Sequence, residues 1–220
     1  MSQSANATSS SDVSAVFGVV TDGQTYRNLL YLVLAFPLGV AYYVVLTVGF
    51  ALGLGLSVLL IGLGILFVTV VGVRGIASFE RGLANRLLRT EIPAPDDVKR
   101  DGDGPLAYAR AYLRAGSTWR GLGFVFLKFW IGILSFVLLV SFLGTAVELL
   151  LLPVVPDGAL NVQVFGWEVP DTFGTPTRRA IAVPIGAALA VAALHVLNAF
   201  AEANASIASS LLGGTPESEA

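Results

Sequence analysis

Between Arg27 and Arg74 the chain carries no charged side chain, a run of 46 residues from Asn28 to Val73. As one helix that run would reach roughly 69 Å, whereas the hydrocarbon core of a bilayer is about 30 Å thick. One crossing therefore cannot use it up, while two crossings and a turn of about six residues can. Gly49, Gly53 and Gly55 cluster at the midpoint, which places the reversal there and the first two spans near 28–48 and 55–75. Gly49-x-x-x-Gly53 also fits the close-packing motif of membrane helices, but its midpoint position favours backbone reversal. Pro37 kinks the first span unless neighbouring helices satisfy the freed carbonyl.

Composition agrees with a lipid-buried chain. Hydrophobic residues make up 55% and charged residues 13% of the 220, and the mean hydropathy is +0.78. So few charges cannot coat a soluble fold of this size. A third span starts near Gly121 and continues through the 19 uncharged residues Phe129–Val147, with Lys128 free to snorkel to the headgroups. The fourth is Ala180–Ala201. The sequence thus predicts an all-α integral membrane protein of four transmembrane helices arranged as two helical hairpins, with spans about 28–48, 55–75, 121–147 and 180–201. Residues 1–25 are Ser/Ala-rich without a basic n-region and read as a disordered tail, not a signal peptide. The membrane domain covers 26–213, and 214–220 form a C-terminal tail.

Ten of the 13 Lys and Arg lie in 74–128, and Arg27 falls on the same side of the bilayer. The positive-inside bias makes the loop 76–120 and both termini cytoplasmic, in a multi-pass protein of the cell membrane. The hairpin tip and an outer loop, 152–178, then face out, where Arg178 and Arg179 anchor the fourth span. Within 74–90, Ile76, Phe79, Leu83 and Leu87 recur at helical spacing, which predicts an amphipathic cytoplasmic helix continuing the second span. A Pro/Asp/Gly-rich linker follows, Pro105 starts a short helix, and Ser117 is placed to cap the third span. In the outer loop, Asn161 and Gln163 alternate with Val162 and Val164, a short β-hairpin-like signal.

Three groups of residues are candidates for function. His195, Asn198 and Glu202 share one helical face and form a candidate polar switch, with a helix–helix hydrogen bond, or pairing of Glu202 with Arg81 or Arg86, as the structural alternative. Arg81, Arg86, Arg89, Trp119 and Arg120 are a candidate surface for anionic lipid or a partner, although topology and interface anchoring produce the same pattern. Phe165 and Trp167 are a candidate outer-loop contact, with an aromatic interface belt as the favoured structural alternative. Glu148 closes the third span and can pair with Arg178 or Arg179. With no Cys and one His, metal and nucleophile chemistry lack material. No cofactor, nucleic-acid partner or enzymatic activity is expected.

The order of several segments resembles the putative sensor domain family, four-span membrane modules of actinobacterial histidine kinases and stand-alone haloarchaeal proteins. The segments are GFALGLGLSVLLIGLGI in the hairpin, Phe79-Glu80-Arg81, Ser117-Thr118-Trp119-Arg120, Leu152-Pro153 and Leu194-His195-Val196-Leu197-Asn198. The excess of Arg over Lys fits a haloarchaeal source. The resemblance implies signal input at the membrane, and only TPESEA follows Gly214. Output is therefore expected to pass to a separate protein, such as a kinase, a regulator or another membrane protein, with a homo-oligomer also open. A small transporter or channel subunit, and an assembly factor, are the other function classes.

Overall fold

In a computed structural model the chain is described over residues 18–98, 105–155, 157–160, 163–164, 166–168 and 172–214. Helix α1 spans Gly23–Gly55 and passes through Pro37. A 3-10 turn at Ser57–Leu59 leads into α2, Ile61–Leu87. Then come α3, Pro105–Arg114, and α4, Gly116–Leu138, which continues through a π-helical stretch, Leu139–Gly144, into α5, Thr145–Leu151. A minimal antiparallel pair joins β1, Gln163–Val164, to β2, Trp167–Glu168, before the closing helix α6, Pro176–Leu212. Among the described residues four helical segments are long and apolar enough to cross a membrane: α1, α2, α4 through α5, and α6. The chain is a multi-pass membrane protein.

Helix α1 begins earlier than the end of the expected tail because Asp22 caps it, its Oδ1 accepting from the Gln24 amide at 2.9 Å. Its end also differs from the sequence reading. The chain stays helical through Gly49 and Gly53 and reverses at residues 56–60, where Leu60 takes a left-handed conformation, φ 60°. The two glycines serve packing instead. A side chain at Gly49 would collide with Thr69, and one at Gly53 would lie 2.6 Å from Leu66. Helix α2 occupies the space that these two positions leave empty, which is the use of small residues in lipid.

Two compact units divide the chain. One comprises the chain up to Leu30 with Ser135–Ala201, the other Tyr31–Leu134 with the chain from Glu202. In the first unit Leu149, Leu152 and Ala182 form the apolar core, with Phe173 and Leu189 against it. Gly186 allows α6 to approach, since a Cβ there would lie 2.8 Å from that of Leu149. In the second unit α4 runs antiparallel to α1, pairing Lys128 with Gly39 and Gly132 with Ala35.

The buried face of α2 is not the stripe of large apolar residues that the spacing picks out. Its buried residues are Gly62, Thr69, Val73, Ala77, Glu80 and Ala84, whereas Phe79 is 54% exposed. Water sorts side chains by polarity, but in lipid large apolar groups gain nothing by turning inward, and small or mutually bonded polar groups take the interior. Glycines at the α1–α4 crossing should accordingly be intolerant. Gly132→Ile, whose Cβ would sit 2.5 Å from the Ala35 carbonyl oxygen, should cost about 1–3 kcal/mol in detergent unfolding. Gly72→Ala, whose Cβ meets nothing within 4 Å, should be neutral or slightly stabilising. Equal midpoints for both variants would contradict the packing described.

Candidate functional site

The strongest concentration of chemistry lies inside the second unit. Glu80 of α2 and Lys128 of α4 are both fully buried, and Lys128 Nζ stands 2.8 Å from Glu80 Oε2. Lys128 also donates to Tyr31 Oη at 2.8 Å, and its ammonium lies 4.0 Å from the Tyr31 ring centroid. The carboxylate is further satisfied by Tyr42 Oη donating to Oε1 at 3.0 Å and by Tyr31 Oη, 3.5 Å from Oε2. Three helices thus meet at one neutral, hydrogen-bonded cluster. Lys128 does not snorkel, because its partner is on the protein side and the adjacent Gly39 gives α1 room to close over it.

A second polar junction ties α2 to the segment that follows it. Arg74 Nη1 donates to Ser117 Oγ and to Thr118 Oγ1, each at 2.7 Å, and Nη2 lies 4.0 Å from Asp97 Oδ1. Its guanidinium stacks 5.1 Å from the Tyr112 ring centroid. Asp97 caps α4 across twenty residues, Oδ2 accepting from the Ser117 amide at 2.7 Å. Ser117 is thus held by Asp97 instead of acting as the cap itself. Burial raises the Asp97 carboxyl, but the Ser117 hydroxyl and amide, together with Arg74, outweigh it and leave the group below its ordinary value. Upstream, Asn85 accepts from the Ile92 amide at 2.9 Å and donates to its carbonyl, which folds the chain back after α2.

The sequence-derived candidates fall differently. Asn198 joins a hydrogen-bonded set with Thr25 and Asn28 of α1, at 2.9 and 3.0 Å, while His195 and Glu202 of the same helix are exposed. The middle member of the stripe is thus a helix–helix contact. Glu202 joins neither ion pair of the described residues, and Arg81 donates to Ser78 instead. Of the basic group, Arg86 is exposed, Arg89 takes φ 54° just past α2, and Arg120 is half-buried. Trp119 is exposed, its indole donating to the Leu113 carbonyl at 2.9 Å. Phe165 lies outside the described residues, and Trp167 is in β2. Glu148 pairs with neither Arg178 nor Arg179. It is buried, and Oε2 accepts from the Leu160 amide at 2.7 Å, while Arg179 donates to the Phe173 carbonyl.

Sequence reasoning missed Glu80 and Lys128 as partners. The available signal was one acidic and one basic residue on separate apolar helices, with Ala77 and Ala84 flanking Glu80 at helical spacing. Among the described residues no cluster of potential metal ligands occurs.

A family profile described as Putative sensor matches residues 31–212, a range that includes all four members of the buried cluster. No curated protein and no solved structure matches the chain.

Removing one member of the buried pair should be far worse than removing both. Lys128→Met alone should lower stability by about 3–5 kcal/mol, and the double variant Glu80→Met with Lys128→Met should recover most of it. Additive losses in a double-mutant cycle of detergent unfolding would show that the pair is not coupled. For Asp97 the depressed value gives stability that is complete above the unfolded-state value and is lost as pH falls through the folded one. The thermal stability of the wild type should exceed that of Asp97→Asn at pH 7, and the gap should close in acid below the ordinary carboxylate range. A constant gap would remove the linkage.

Proposed function

From the premise that the chain belongs to the Putative sensor family, which suggests a sensory role, we propose that it is a membrane-embedded signal-input module that relays a membrane-associated cue to a separate protein partner. The observation that carries this reading is the fully buried Glu80–Lys128 pair. An ionisable pair inside apolar helices costs desolvation energy that a purely structural core avoids, so such groups mark functional elements by default. A cue that displaces α1, α2 or α4 must move a bonded charge cluster in low dielectric. Such a cluster changes between discrete arrangements and does not deform gradually.

The output surface in this reading is the stretch from the exposed end of α2 to the start of α4. Arg74 connects it to the same helix that carries Glu80, while Phe79 and Arg86 are exposed there. The basic residues concentrated between Arg74 and Lys128 support a cytoplasmic position for it. Its partner would be a kinase, a regulator or another membrane protein. A solute pathway fits the buried charges less well, because Glu80 and Lys128 neutralise each other at zero exposure, and His195 and Glu202 face outward.

The absence of cysteine makes single-cysteine labelling direct. With an impermeant thiol reagent, a cysteine at Gly158 should label in intact cells, and one at Arg86 only after permeabilisation. The reverse pattern would sink the orientation. In native membranes the Arg86 cysteine should crosslink one partner, and Glu80→Gln should change that yield severalfold while protein level is held constant. An unchanged yield would break the link between the buried cluster and the output surface.

A further inference from the structure

The second unit contains an apolar pocket of about 830 Å³, within the size range of small-molecule sites. Its walls come from Phe50 and Leu54 of α1, Leu63 to Val73 of α2, Leu113 of α3 and Trp119 with Leu122 of α4. Polar chemistry is confined to one end. There Thr118 is a lining residue, and its hydroxyl accepts from Arg74 at 2.7 Å while its own proton has no acceptor among the described residues. From Val73, beside Arg74, to Leu63 near the hairpin turn, α2 covers ten residues, about 15 Å of wall. Gly64 lies on that wall, and a Cβ there would meet nothing within 4 Å, so the absent side chain leaves usable space.

A site with one polar end, at the Thr118 hydroxyl, and a long apolar body fits one class of molecule. We infer that this pocket binds a single-chain amphiphile whose hydrogen-bond-accepting head lies at Thr118, within reach of Arg74, and whose chain runs along α2 toward Leu63. The inference rests on the sensory reading and supplies its cue with a chemistry. The head group takes the Thr118 proton, and the Arg74 guanidinium is bonded to the same hydroxyl, so an anionic or carbonyl-bearing head is favoured over an ammonium. The chain occupies the space between α1 and the α2–α4 pair, where its presence bears on the contacts that Tyr31 and Tyr42 make.

The test uses the full chain in phosphatidylcholine nanodiscs, with Trp130→Phe and Trp167→Phe so that Trp119 is the one emitter. The probe is 2-bromododecanoate, whose bromine quenches a neighbouring indole and whose reactivity toward thiols is irrelevant in a chain without cysteine. Quenching should saturate, and unbrominated dodecanoate should reverse it. Gly64→Phe should abolish the saturable phase, whereas Gly72→Phe, the same change on the same helix away from the pocket, should not. Thr118→Val should weaken binding up to about tenfold, the size of one lost hydrogen bond. Quenching that rises linearly with probe, or that is identical in the Gly64→Phe protein, would mean that bulk lipid merely fills a groove and would overturn the site. Dodecyltrimethylammonium binding as tightly as dodecanoate would overturn the head-group assignment. Binding is read on the purified protein, so a negative result removes the ligand and leaves the relay to the crosslinking experiment.

Discussion

The buried pairing of Glu80 with Lys128 is the interaction on which the second unit depends. Neither charge reaches the surface, and in an apolar interior each alone would cost several kcal/mol. Their neighbours are therefore arranged around keeping them together. Tyr31 and Tyr42 complete the carboxylate's hydrogen bonds, which separates this pair from a half-satisfied one that would weaken the fold. The helices must also approach closely enough for an ammonium and a carboxylate to meet. At the α2–α4 crossing a Cβ at Gly121 would lie 3.3 Å from that of Ala77, and Gly39 and Gly132 close α1 onto α4, where a Cβ at Gly39 would lie 2.7 Å from the Lys128 carbonyl oxygen, which brings the two tyrosines to the pair. Ala77 and Ala84 do the same along α2. Glycines, alanines and ion pair form one device, because the small residues set the distance at which the charges are worth burying.

This device explains which parts of the structure were legible in the sequence. The charge-free run from Asn28 to Val73 is enough to require two helices and a reversal, because length against bilayer thickness leaves no alternative. Where the chain reverses was not legible. A glycine has two uses in a membrane helix, a turn and a close approach, and the second holds at Gly49 and Gly53 while Leu60 supplies the left-handed turn. Which stripe of α2 is buried was not legible for a related reason. Ile76, Phe79, Leu83 and Leu87 make a regular apolar stripe, yet the buried stripe is Val73, Ala77, Glu80 and Ala84. Helical spacing alone does not say which of two stripes faces the protein, and the usual assumption belongs to water.

The candidate site was legible only in part. Asn198 stood out as a polar residue in an apolar span and does bond across helices, to Thr25 and Asn28. His195 and Glu202 shared its face by sequence spacing but not its environment. Lys128 and Glu80 were visible individually, one as an interfacial lysine and the other inside a cytoplasmic helix. What could not be read is that they meet, because their separation of 48 residues is bridged only once Arg74 and Asp97 have fixed where α4 begins.

Those two junctions determine which helix can respond. Helices α2 and α4 are tied twice, by Arg74 to Ser117 and Thr118 and by Glu80 to Lys128. Sliding or rotating one against the other would have to break both ties together. Helix α1 is held differently. Its polar ties within this unit are the two tyrosine hydroxyls on Glu80 and Lys128, charge-assisted hydrogen bonds with one ionised partner each, individually weaker than an ion pair. The softest displacement therefore moves α1 away from a rigid α2–α4 pair, exchanging the Tyr31 and Tyr42 contacts while the charges remain neutralised by each other. Phe50 and Leu54, the α1 residues on the wall of the apolar pocket, lie on the same helix beyond Tyr42. An occupant of that pocket pushes on the weakly held member, and the force reaches the charge cluster through one continuous helix.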